Sequence, residues 1–256
     1  MKFTDQLDRT ILLPRSPQRI ISLVPSQTEL LVDLGLEERI VGVTKFCVHP
    51  SHLKKTKTIV GGTKNYRMEV IDSLKPDLIL GNKEENDQKG IEELAKKYPV
   101  WMSDIYHLED ALEMIQRVGE ITGTTESAIH ICQRIKDSFF SKIPSRGSCI
   151  YLIWNNPMMA AGKNTFIDDL IRRAGFENLV TKNRYPELDL EEIQNSKPDY
   201  ILLSSEPYPF KEKEVKSFQA IFPHSKILLV DGEMFSWYGS RLLKSASYFL
   251  DLDQAF

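Results

Sequence analysis

The residues MEVIDSLKPDLIL at 68 to 80 return as LEEIQNSKPDYIL at 190 to 202. Glu69, Ile71, Lys75, Pro76, Asp77, Ile79 and Leu80 recur as Glu191, Ile193, Lys197, Pro198, Asp199, Ile201 and Leu202, always at an offset of 122. Proline cannot continue a helix, and the apolar run that follows is too short to be another one. Each copy therefore reads as a short helix, a Lys-Pro-Asp turn and a buried strand. A chain that uses one helix-turn-strand unit twice, so far apart, is expected to fold as two related α/β halves.

The two halves also open alike. Arg19 to Val24 is an apolar strand, followed by a helix in which Ser26 and Glu29 have capping-box spacing and which ends at Gly35. Cys149 to Trp154 is the matching strand, and Thr165 to Ala174 the matching helix, ending at Gly175. Both glycines have the position of a C′ cap. Between the halves Leu112, Ile115, Val118, Ile121, Ile129, Cys132, Ile135 and Phe139 fall at helical spacing. One helix of about 30 residues there would be about 45 Å long. A break at Thr122-Gly123-Thr124 is the alternative, and a continuous helix tolerates such a glycine for only about 1 kcal/mol.

The expected architecture is α/β, two open α/β lobes joined by one long backbone helix, with a ligand cleft between the lobes. The lobes span 1–107 and 144–256, and the connecting helix spans 108–143. Ligands of open α/β sheets sit beyond the carboxyl ends of the strands. The loops expected there are Pro25-Ser26, Thr44 to His49, Gly61 to Asn65, Gly81 to Asn86, Asn155 to Gly162, Arg184 to Leu188, Ser204 to Pro209 and Asp231 to Arg241.

Composition narrows the partners. With 41% hydrophobic and 27% charged residues the chain has ordinary globular material, and its formal net charge of -3 argues against a nucleic-acid partner. No stretch reaches the roughly 18 apolar residues that span a bilayer. Met1 to Arg9 carries Lys2, Asp5, Asp8 and Arg9 and holds no signal-peptide core. The protein is thus expected to be periplasmic or membrane-associated outside the cell if a leader was trimmed, and cytoplasmic if the sequence is complete. Cys47, Cys132 and Cys149 lack metal or disulfide spacing and read as buried small hydrophobes.

The motifs RIISLVPSQTELLVDLG (19 to 35), IVGVTKF (40 to 46), MEVIDSLKPDLILG (68 to 81), the Ala160-Ala161-Gly162-Lys163 turn and DGEMFSWYGSR (231 to 241) resemble, in this order, the class III substrate-binding proteins of ABC importers. The resemblance covers nearly the whole chain and is strongest to the cobalamin-binding members. It implies two lobes joined by a stiff helix, a chelate such as cobalamin, haem or a ferric siderophore as ligand, ABC permease subunits as partner, and a monomer. It also implies that Glu69 and Glu191 dock onto permease arginines. Their first-turn position would equally complement the helix dipole.

By the same resemblance Phe46 and Tyr185 are aromatic ligand contacts, whereas positions aromatic in the cobalamin binders carry Thr63 and Asn82 here. The residues themselves add polar loops with Lys64 and Asn82, an apolar wall from Trp154, Met158, Met159, Phe235, Trp237 and Tyr238, and Arg241 for a carboxylate or phosphate. For Arg241 a structural salt bridge is the alternative, and for the wall residues a place in the core. The expected ligand-binding set is Ser26, Phe46, Thr63, Lys64, Asn82, Met159, Tyr185, Glu233, Met234, Phe235, Ser236, Trp237 and Arg241. His49 and His52 are spaced for cobalt or iron, but the sequence shows no partner to orient their rings, and neither a resident metal nor a cofactor is expected. No nucleophile elbow, metal triad or phosphate loop occurs, so binding is expected rather than catalysis. A cytoplasmic carrier or sensor, or an enzyme acting on a tetrapyrrole or metal cofactor, are the alternatives.

Overall fold

The computed structural model describes residues 1–252. The amino terminus forms an antiparallel pair, β1 (Lys2–Thr4) and β2 (Thr10–Leu12). Helices then alternate with strands: β3 (Ile20–Ser22), α1 (Pro25–Asp33), β4 (Ile40–Val43), α2 (Leu53–Thr56), β5 (Thr58–Ile59), α3 (Met68–Leu74), β6 (Leu78–Asn82), α4 (Gln88–Ala95) and β7 (Val100–Ser103). The strands pair in parallel in the order β5-β4-β3-β6-β7. β3, β6 and β7 are buried at every position, as strands covered on both faces must be.

Next come α5 (Leu108–Thr122) and α6 (Thr125–Ser138). The second sheet follows with β8 (Gly147–Trp154), β9 (Met159–Ala160), α7 (Phe166–Arg173), β10 (Phe176–Asn178), α8 (Leu190–Ser196), β11 (Tyr200–Ser204), α9 (Glu212–Ile221) and β12 (Lys226–Val230). Its parallel order is β10-β8-β11-β12, with β9 antiparallel on β8. The short α10 (Gly232–Ser236) and α11 (Leu242–Asp251) complete the described chain.

The chain divides into two compact units. The first holds Met1–Asp104, Glu109–Ile135 and the late segment Tyr238–Arg241, and the second holds Ile105–Leu108, Lys136–Trp237 and, among the described residues, 242–252. Each has its own core, around Ile21, Ile71 and Ile79 in the first and Ile193, Ile201 and Phe218 in the second.

The repeated sequence does the same job in both. α3 and α8 end at Lys75 and Lys197, which adopt nearly identical left-handed conformations (φ 46°, ψ 58° and φ 48°, ψ 56°). The proline after each bars a further right-handed turn. The Asp77 carboxylate then accepts the backbone N–H groups of Gln18 and Arg19 just before β3, and Asp199 accepts the Ser148 N–H and the Ser148 hydroxyl at the start of β8. The strands that follow, β6 and β11, lie between β3 and β7 and between β8 and β12 respectively. Ile71, Ile79, Leu80 and their counterparts Ile193, Ile201 and Leu202 are fully buried.

Two expectations are corrected. The stretch 108–143 is two helices rather than one, because Gly123 takes a left-handed conformation (φ 76°) and the Thr124 N–H returns to the Gly119 carbonyl at 2.7 Å. Residues 139–143 lie outside both helices. The Ser26–Glu29 capping box does not form either: α1 begins at Pro25, Val24 takes the N-cap position without a side-chain cap, and both Ser26 and Glu29 are buried inside the helix. The matching helix α7 does have a side-chain cap, with the Thr165 hydroxyl accepting the Asp168 N–H at 3.1 Å. Cys47, Cys132 and Cys149 are free and buried. Among the described residues no helix is long and apolar enough to cross a membrane.

Candidate functional site

In an open parallel sheet the strand order reverses at one point, and the loops beyond the carboxyl ends of the two strands there form the ligand position. That point lies between β3 and β6 in the first unit and between β8 and β11 in the second.

In the first unit the loop after β6 is stitched by amides. Asn82 Oδ1 accepts the Glu84 and Glu85 N–H groups at 2.9 and 3.1 Å, and its Nδ2 donates to Ser103 Oγ at 3.0 Å. Asn86 Oδ1 accepts the Asn82 N–H at 2.8 Å, while Asn86 Nδ2 and the Tyr66 hydroxyl both donate to the Thr63 carbonyl at 2.8 and 2.7 Å. Burial pushes the Tyr66 hydroxyl up to about 12, so it stays a donor at neutral pH. This lattice fixes the neighbouring loop, on which Thr63 is half-buried and Lys64 exposed. Phe46 is half exposed, with the Lys45 ammonium 5.0 Å from its ring centre, and its ring edge would lie 3.5 Å from a Cβ at Gly62. The structure thus brings Phe46, Thr63 and Lys64 onto one rim.

Asn82 and Ser26 do not join it. Asn82 is buried and spends its amide on the loop itself, and Ser26 is buried in α1. Arg241 is likewise withdrawn: at 4% exposure its Nε donates to Glu29 Oε2 at 2.8 Å, so the salt bridge is the reading that holds. The segment Tyr238–Arg241 reaches the first unit through Gly239, whose φ of 97° suits glycine and whose Cβ would lie 3.3 Å from the Ser26 carbonyl. His52 pairs with Glu37 at 2.7 Å rather than with His49.

In the second unit, Met159 on β9 and Tyr185 are half-buried. The Arg184 guanidinium lies 5.8 Å from the Tyr106 ring centre and 5.6 Å from that of Tyr185, and donates to the Asn164 carbonyl at 2.9 Å. Arg184 and Asn164 both hold left-handed conformations, a strain that clusters at binding loops. Trp154, 39% exposed, meets Tyr208 edge-on at 5.6 Å. Phe235 belongs to the core instead of the wall, packed on Tyr151 at 5.1 Å and Phe249 at 4.7 Å between ring centres. Tyr238 is core as well, and Trp237, expected as a ligand contact, is buried too, at 7% exposure.

Beside Phe235, Glu233, Met234 and Ser236 remain half-buried. Asp231 caps α10 by accepting the Glu233 N–H at 3.0 Å, and Glu206 Oε1 accepts both the Ser236 hydroxyl at 2.7 Å and the Trp237 indole N–H at 2.9 Å. Burial raises the Glu206 carboxyl above the ordinary glutamate value; the Glu233 and Asp231 carboxylates add to the rise, and the two donors oppose it. Sequence reasoning did not single out Glu206 or Arg184. Arg184 adjoins the expected Tyr185, but nothing local marks Glu206.

Each unit therefore offers a rim of aromatic, amide and cationic groups on loops locked by hydrogen bonds, which is a surface for holding a molecule. Among the described residues no three His, Cys, Asp or Glu side chains gather as a metal cluster would require. Residues 20–220 match the sequence model of the family described as periplasmic binding protein. The chain belongs to this family.

Among its relatives, the vitamin B12-binding protein of Yersinia pestis (strain Pestoides F) is 26% identical over 200 residues, which is 74% of this chain and 70% of that one. Two solved periplasmic binding proteins share the fold. The periplasmic vitamin B12 binding protein of Vibrio cholerae has a TM-score of 0.78 at 20% identity, covering 95% of this chain and 100% of that one. A periplasmic heme-binding protein from Pseudomonas aeruginosa has a TM-score of 0.78 at 22% identity over 92% of both chains. The family is one of transport binding proteins, and the α/β architecture expected from the repeat is the architecture of these neighbours.

Proposed function

We propose that this chain is the substrate-binding subunit of an ABC importer and that it carries a metal chelate, a corrinoid, haem or ferric siderophore, to its permease from outside the cytoplasmic membrane. The observation that carries the reading is the periplasmic binding protein match over residues 20–220. The vitamin B12-binding relative supports the chelate class. In this reading the ligand contacts are Phe46, Thr63, Lys64, Met159, Tyr185, Glu233, Met234 and Ser236. Binding is reversible, non-covalent and monomeric.

Glu69 and Glu191 serve the permease. The other identities of the repeat are explained by the turn, by the carboxylate that pins the neighbouring strand, and by core packing. The two glutamates are exposed in the first turns of α3 and α8, and among the described residues neither carboxylate has a hydrogen-bond or ion-pair partner. A pair of symmetric, unengaged carboxylates suits arginines on a partner.

Calorimetric titration with cobalamin, cobinamide, haem and a ferric siderophore tests the reading. Saturable one-to-one binding of one of them is expected, and silence from all four would refute the ligand class. Glu69→Ala with Glu191→Ala should leave that affinity unchanged and weaken permease-dependent uptake. Unchanged uptake would remove the docking role.

A further inference from the structure

At the carboxyl end of β11 the chain reads Ser204-Ser205-Glu206, and these three residues hold the segment that follows β12. The Gly232 N–H donates to the Ser205 hydroxyl at 2.9 Å. A Cβ on Gly232 would lie 2.4 Å from Ser204 Oγ and 2.6 Å from Glu206 Cγ, so only glycine lets the two segments approach this closely. Glu206 then reaches across with one carboxylate oxygen and receives both Ser236 Oγ and Trp237 Nε1. Ser204 in turn accepts the buried Tyr151 hydroxyl at 3.1 Å, tying the arrangement to the neighbouring central strand.

The geometry points to Glu206 as the positioning residue of the Glu233–Trp237 segment, which is α10 and its C-cap: its carboxyl group holds Ser236 and Trp237 in the shape in which that segment meets ligand. The inference rests on the proposed function for the identity of the segment's occupant, but not for the hold itself. A carboxyl group among Glu233 and Asp231, in a half-buried place, is poorly explained by stability, because an apolar residue would fill the space without desolvating a polar group. It is well explained by aim. One acceptor oxygen shared by two donors fixes the hydroxyl and the indole relative to each other, whereas packing alone leaves them free to rotate. Glu206 acts through Ser236 and Trp237 and is not itself assigned a ligand contact.

The test uses the full chain, with Glu206→Ala, Glu206→Gln and Ser236→Ala. The three tryptophan indole N–H resonances are recorded by NMR without ligand, and Trp237→Phe identifies the relevant one. Glu206→Ala should move that resonance upfield and hasten its exchange with solvent. Glu206→Gln, whose amide oxygen still accepts, and Ser236→Ala, which removes only the other donor, should keep it hydrogen-bonded. For the chelate that binds the native protein, Glu206→Ala should weaken affinity roughly tenfold or more, and Glu206→Gln by no more than about threefold.

An unmoved indole resonance in Glu206→Ala would overturn the hold. A moved resonance with unchanged affinity for a chelate that binds the native protein would overturn the positioning role. Silence from all four chelates with native protein would count against the proposed function alone, and the moved resonance would still establish the hold. Glu206→Gln, isosteric with the native residue, keeps the comparison meaningful if Glu206→Ala folds poorly.

Discussion

Replacing Arg241 by Met removes one half of a buried ion pair and leaves the other. Glu29 and Arg241 are 7% and 4% exposed, and the contact is a 2.8 Å hydrogen bond between Nε and Oε2. Both charges have been taken out of water, so removing either deprives the other of a close counter-charge. Breaking such a pair from one side typically costs about 3–5 kcal/mol, whereas replacing both members by apolar groups is often close to neutral. For a chain of this size each kcal/mol shifts the melting temperature by roughly 2–4 °C, so Arg241→Met should lower it by roughly 6–20 °C. Glu29→Leu should do the same. The double variant should be more stable than either single one, a sign of coupling that independent losses of packing cannot produce. Urea unfolding is a suitable assay, followed by tryptophan emission, since Trp101 is buried in β7 of the same unit and reports on it. A loss below about 1 kcal/mol for Arg241→Met, or a double variant that simply adds the two single losses, would refute the assignment of Arg241 as structural.

Gly119 faces α6 so closely that a Cβ would lie 2.4 Å from Ala128 Cβ, and Gly119→Ala should therefore destabilise the protein by about 1–3 kcal/mol in thermal unfolding; a neutral or stabilising effect would mean that α5 and α6 are not in contact there. Because the folded state raises the Glu206 carboxyl, chiefly by burial and further by Glu233 and Asp231, this residue's contribution to stability is fully present when it is protonated and is lost as pH rises through its folded value. Glutamine imitates the protonated form. The melting temperature of Glu206→Gln minus that of the native protein should accordingly grow from acid toward neutral pH, and a difference that is flat or falls across that range would contradict the direction of the shift.

How much of this was legible in the sequence depended on how far apart the cooperating residues lie. The repeat was readable because its causes are local: a proline that stops a helix, an aspartate that pins the adjacent strand, and apolar residues spaced for a buried strand. A capping side chain is a local device as well, as Thr165 on the Asp168 N–H shows. Ser26 and Glu29 have the spacing of such a cap too, but Glu29 is claimed by Arg241, 212 residues away. No window of sequence contains both partners. The break at Gly123 was visible only as an alternative, since a glycine between two helical patterns is compatible with either outcome until the close contact of Gly119 with Ala128 decides it. Glu206 was invisible, because its two donors come from a segment 30 and 31 residues later.

Asn82 shows how a polar loop misleads, and correcting it changes what the proposed ligand requires. Gly81 to Asn86 reads as amide and charged groups turned toward a polar molecule, yet Asn82 closes a turn on its own backbone two and three residues ahead, a habit of Asn side chains. An aromatic ring at this position, as in the cobalamin binders the sequence resembles, could not accept those two N–H groups or donate to Ser103. The departure at Asn82 therefore reflects the way this loop is braced and says little about the face of the ligand. The departure at Thr63 is different in kind, since Thr63 is half-buried beside the exposed Lys64 on the Phe46 rim. Of the two aromatic positions that differ, only this one bears on stacking, where a lost ring contact is worth about 1 kcal/mol. For the proposed ligand class a deficit of that size would lower affinity several-fold without abolishing binding.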